Sequence, residues 1–80
     1  MSQYPKEYLI PIDNEPYYQG RISVYLLKSE FYSDVQIIFK DGQKIFQHIG
    51  TYFHFESEED CLNTSMQKLS NFLRGNLLEN

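Results

Sequence analysis

The side chains able to do chemistry are few: His48, His54, Cys61 and the acidic run Glu56, Glu58, Glu59 and Asp60. Imidazole and thiol could hold a metal ion, Cys61 could act as a nucleophile, and neighbouring carboxylates could do acid–base work or bind a cation. Spacing decides each case. His48 and His54 lie six residues apart in "IFQHIGTYFHF". On a regular strand they share one face about 20 Å apart, too far for one ion, and a bulge at Gly50 would put them on opposite faces. No C-x-x-C or H-x-x-x-H spacing occurs, so no metal site is expected. Cys61 falls in the first turn of a predicted helix, where the dipole favours a thiolate, but three neighbouring acids oppose it. Its place beside Leu62 reads as a small core residue. The acids are what a helix start asks for, and no D-x-D-x-D-G loop accompanies them. The four glycines, at positions 20, 42, 50 and 75, form no phosphate cradle. The expectation is a chain with no catalytic group, no cofactor and no metal, hence no enzyme.

The whole-chain totals point the same way. Eighty residues make one domain, 1–80, near the lower limit for folding without disulfides or metal. A core that small supplies only about 3–5 kcal/mol net, which makes association with a second chain an early expectation. The lone cysteine cannot form an internal disulfide, as suits a reducing cytoplasm. "MSQYPKEYLI" has neither a basic nor an apolar leader region, and no apolar run approaches the ~20 residues of a membrane span. The expected location is cytoplasmic, without membrane contact. The net charge is −4, and the four acids between positions 56 and 60 account for it, since the rest balances at seven basic against seven acidic groups. No basic stripe exists to follow a phosphate backbone, so nucleic acid is not an expected partner.

These residues are positioned by an α+β pattern. Pro5, Pro11 and Pro16 punctuate 1–19, leaving an irregular segment with one short edge strand, Glu7–Ile12. Residues 20–56 read as antiparallel strands: "RISVYLL" and "VQIIFK" alternate, "KSEFYSD" separates them, and Asp41-Gly42 signals a hairpin into the strand ending at Phe55. Ser57 followed by Glu58, Glu59 and Asp60 resembles a capping box. Leu62, Met66, Leu69, Phe72 and Leu73 make an apolar stripe, with Gly75 as the stop, so a helix is predicted over 58–74. The tail "NLLEN" is expected to fray unless Leu77 and Leu78 dock. The predicted fold is an antiparallel sheet of three or four strands with one C-terminal helix on one face.

One helix covers one face. If Ile22, Val24, Leu26, Val35, Ile37 and Phe39 face it, then Tyr25, Leu27 and Ile38 lie on the bare side. A two-residue Asp41-Gly42 turn pairs Ile37 with Phe46 and Val35 with His48 beneath the helix, and turns Ile45, Gln47 and Ile49 outward. A bulge at Gly50 then returns Phe53 and Phe55 to the core; a three-residue loop reverses the faces. In either register large apolar groups stay uncovered. They could be covered by the N-terminal segment (Tyr4, Tyr8, Tyr17, Tyr18), by a second copy, or by another protein.

The function expected is a protein-binding module acting through an aromatic sheet face or a sheet edge, as a homodimer or on a partner with a basic surface. In size and composition alone it resembles small acidic antagonists: toxin-immunity proteins, nuclease inhibitors and anti-CRISPR or other anti-defence proteins. The expected contact residues are Tyr17, Tyr18, Tyr25, Tyr52 and His54, with Glu56, Glu58, Glu59 and Asp60 steering a basic target. The alternative is a small regulatory domain holding a small ligand between the sheet and the N-terminal segment.

Overall fold

The structure, a computed structural model, describes residues 3–76. Four strands and one helix follow in order: β1 (Lys6–Pro11), β2 (Tyr18–Leu27), β3 (Glu30–Phe39), β4 (Ile45–Phe55) and α1 (Glu58–Asn76). The strands form one antiparallel sheet in the order β1-β2-β3-β4, with β1 and β4 at the edges. The predicted α+β fold is observed, and the N-terminal strand is its fourth strand. The principal extents are 41 × 25 × 16 Å, and among the described residues the elements form two layers, a sheet and a helix.

The turns differ from the expectation. β2 and β3 run into each other through a two-residue turn, Lys28-Ser29, with φ of 51° and 68°. This is the backbone of a type I′ hairpin, which twists with the strands. "KSEFYSD" is therefore mostly strand: Phe31 and Tyr32 face opposite sides, and Ser33 is fully buried. Asp41-Gly42 instead lies in a four-residue loop, 40–43, closed by the Phe39 N–H donating to the Lys44 carbonyl at 2.9 Å.

β4 begins in the expected register, Ile38 opposite Ile45, and then slips three times. Gln47 rather than Phe46 stands opposite Ile37, His48 is opposite Gln36, and Gly50 rather than His48 is opposite Val35. The bulges set Ile49 against the core and His48 on the far face, each reversing its expected side. Phe55 packs on the core, as the Gly50 bulge suggests, but Phe53 does not. It stacks on Tyr32 of the far face with centroids 5.4 Å apart.

Ile22, Val24, Val35, Ile37, Cys61 and Leu69 form the core, with Ile12 at its margin. The helix buries Cys61, Ser65 and Leu69, one stripe at four-residue steps. Met66, placed in the core by the sequence, is exposed. The reason is size: two small residues let the helix sit close to β3, rotating Met66 outward. Gly20 completes the approach, because a Cβ there would lie 2.5 Å from a Leu69 methyl. Ser65 donates to the Cys61 carbonyl at 2.7 Å, so Ser33 donates to Ser65 at 2.6 Å. That chain satisfies both buried hydroxyls. Gly75 keeps a helical backbone rather than the left-handed one of a stop, and α1 continues to Asn76. Leu77 and Leu78 lie outside the described residues.

Candidate functional site

The start of α1 is tied to β1. Ser57 caps the helix, its hydroxyl accepting the Asp60 N–H at 3.1 Å. Glu58 is engaged within the chain. It accepts from the Tyr4 hydroxyl at 2.6 Å and the Tyr8 hydroxyl at 2.5 Å, and the Lys6 ammonium lies 3.2 Å away. Lys6 and Tyr8 alternate along β1, so the strand period delivers them to one face, and Tyr4, just before the strand, joins them there. The Tyr4 and Tyr8 hydrogen bonds hold the Glu58 carboxyl down at about 2. The same bonds raise both phenols above their ordinary value, since losing a proton would forfeit a bond and set two anions together. Tyr4 and Tyr8 thus work on the helix side and do not cover the far face. Of the three expected coverings, a lid made by Tyr4 and Tyr8 is therefore not formed.

Among the described residues no further strand or helix packs on the far face, which has three zones. At the end near the β2–β3 turn, Tyr25, Tyr32 and Phe53 stack across three strands, with centroid separations of 4.7 and 5.4 Å. Leu27 (60% exposed) and Phe53 (57% exposed) border a shallow cleft with Glu30 and His54. The middle is polar: Arg21 donates to Gln36 at 2.6 Å, and Thr51 donates to Asp34 at 2.5 Å. His48 stands 3.4 Å from the Thr51 hydroxyl and 3.7 Å from Asp34. Because the Thr51 proton is directed at Asp34 and not at the imidazole, this trio ties β3 to β4 rather than activating a nucleophile. The third zone is exposed Ile45 opposite Ile38, which lies on this face as expected but is fully buried rather than bare.

The expected contact residues are split by the fold. Tyr25 belongs to the ladder, and His54 sits beside it, exposed, at a left-handed backbone position (φ 72°) and 3.3 Å from Glu30. Exposed Glu56, Glu59 and Asp60 lie at the same end, because β4 ends opposite Phe31 and α1 starts three residues later. Tyr17, Tyr18 and Tyr52 are not there. Tyr52 lies on the helix side over Gly50 with the Lys68 ammonium 5.6 Å from its ring. Tyr18 packs with Phe39 and Phe46 at the other end, next to exposed Tyr17. Tyr32, Phe53 and Glu30 escaped the sequence reading. The alternation of Tyr25, Leu27 and Ile38 onto the bare face was the available signal, hidden because 28–34 read as a break.

Cys61 is fully buried, and burial pushes its thiol up, outweighing the Ser33 and Ser65 hydroxyls that pull it down. Among the described residues no three metal-ligating side chains converge, and no helix is long and apolar enough to cross a membrane. Against known protein families, curated proteins and solved structures, the chain returns no match.

Proposed function

We propose that this chain is a non-enzymatic protein-binding module whose contact surface is the ladder end of the far face: Tyr25, Tyr32, Phe53 and Leu27, bordered by Glu30, with Glu56, Glu59 and Asp60 at the same end of the molecule. The observation that supports this reading is the stacked ladder itself. Three rings are pre-ordered on an uncovered face, so a partner buries large amphipathic side chains at small entropic cost. The acids at the same end suit a basic target and raise its association rate. A small antagonist that blocks a basic groove is the specific form proposed.

The test compares proteins retained by the wild type with those retained by a Tyr25→Ser/Phe53→Ser variant of unchanged circular dichroism. A species held by the first and lost by the second is expected. Its association with a Glu56→Lys/Glu59→Lys variant slows and becomes less salt-dependent. Identical retention by wild type and ladder variant overturns the assignment.

A second reading has one observation in its favour. A cleft of about 250 Å³ between Ile10, Ile12 and the α1 residues Met66, Leu69 and Leu73 carries Asp13 and Ser70. It would suit a small apolar ligand, though ligand pockets usually hold about 300–1,000 Å³. A ligand-dependent rise in melting temperature, lost on Leu73→Ala, would move the function there.

A further inference from the structure

The two sheet edges are built differently. β1 is short and carries Lys6, Glu7 and Pro11, the charges and proline by which edge strands avoid pairing. β4 is eleven residues long and contains no Asp, Glu, Lys, Arg or Pro, in a chain that is 22% charged. We infer that β4 is a pairing edge whose occupant is β4 of a second copy of this chain, antiparallel and centred on His48. This goes beyond the proposed binding role and does not depend on it.

The ladder geometry fixes which groups are available. The Phe39 N–H points at β4, so odd-numbered β3 residues turn their backbone toward β4 and even-numbered ones turn away. The β4 residues opposite even positions, Ile45, His48 and Thr51, therefore turn their own N–H and C=O outward. The His48 carbonyl agrees, since it accepts from the Gln47 side chain at 3.1 Å. The bulges absorb the extra residues, and these three stay in step with a two-residue repeat of β3, about 6.8 Å.

Reversal about His48 sets Ile45 against Thr51 of the other copy and His48 against its own equivalent. The β-branched pairs are favourable cross-strand neighbours, and no charge falls on the seam. Charge selects the second copy over an arbitrary strand. Antiparallel pairing brings the Lys40–Lys44 hairpin of one copy beside the Phe53–Glu56 end of the other. Lys40 and Lys44, with Asp41 between them leaving the hairpin net positive, then face exposed Glu56, with Glu59 and Asp60 at the same end. The acidic ends of the two chains lie far apart, although each copy carries −4. The product is an eight-stranded sheet with both helices on one side and both aromatic ladders on the other.

Sedimentation equilibrium of the full chain tests this over roughly 1–500 µM, the range that reads a weak, transient association. The wild type is expected to pass from 9.6 kDa to twice that mass, and to dissociate more readily at high salt. His48→Pro removes an outward N–H that β3 does not use, and Ile45→Lys places a charge on the seam. Both are expected to weaken the dimer at least tenfold with unchanged circular dichroism. If His48→Pro fails to fold, Ile45→Lys decides. A wild type that stays at 9.6 kDa throughout, including one that pairs only with a different protein, overturns the inference. So does a folded Ile45→Lys variant that dimerises like the wild type.

Discussion

Replacing Glu58 with glutamine removes the charge that joins the edge strand to the helix, and the structure sets the size and pH dependence of the loss. The Glu58 carboxyl is lowered from 4.5 to about 2, chiefly by the Tyr4 and Tyr8 hydroxyls. Each pH unit of such a shift corresponds to 1.36 kcal/mol, giving a ceiling of about 3 kcal/mol. The side chain is one-quarter exposed, so solvent screening brings the expected loss to about 1–2 kcal/mol at pH 7. In a domain of this size that lowers Tm by roughly 5–15 °C. A depressed carboxyl stabilises fully above its unfolded value, and its contribution disappears as pH falls from about 4.5 to about 2. Tyr4 and Tyr8 have the opposite sign. Their raised values keep the neutral phenols' contribution intact below 10.0 and remove it as pH rises through the raised values. Thermal melts followed by far-UV circular dichroism at pH 7, 4 and 2.5 provide the assay. The gap between wild type and Glu58→Gln should be widest at pH 7 and fall to about a quarter of that at pH 2.5. An equal gap at pH 7 and 2.5, or none at pH 7, would refute the role given to this carboxylate.

Gly20→Ala places a methyl 2.5 Å from Leu69 and is expected to cost about 1–3 kcal/mol in urea unfolding, with Leu69→Ala in the same background recovering part of the strain. Ser65→Ala orphans the Ser33 hydroxyl and should cost about 1–3 kcal/mol, while Ser33→Ala/Ser65→Ala costs less than the two single changes summed, as a double-mutant cycle will read. Cys61 is expected to react with a maleimide only as fast as the protein opens, so its labelling rate should rise steeply with urea while a model thiol's does not.

How far the sequence reached depended on where its signals were local. Ser57 with Glu58, Glu59 and Asp60 marked the start of α1 at its observed residue, because cap, charge and apolar period agree there. Ile22, Val24, Val35 and Ile37 were legible as core from alternation alone. The β2–β3 turn was not, since Lys28 and Ser29 adopt left-handed backbones without the Asn or Gly that advertises them. Nor was the face of β4 beyond Gln47. Each bulge there moves later side chains to the other side, and of the three only the one at Gly50 carries a residue that advertises it. For the candidate site, Tyr25, His54, Glu56, Glu59 and Asp60 were chosen by residue type, and the fold gathers them at one end. Tyr18 and Tyr52 were chosen on the same ground and pack on the helix side. Glu58 looked like its neighbours in composition, and only the convergence of Tyr4, Lys6 and Tyr8 upon it explains why it is occupied.

The claim that the ladder end is a contact surface is tested most directly by position-specific photocrosslinking in cells that make this protein. p-Benzoylphenylalanine at position 32, in the middle of the stack, is predicted to give a discrete adduct with another protein. The same group at position 67, exposed on the outer side of α1, should give none. Adducts of equal yield from both positions, or none from position 32, contradict the account.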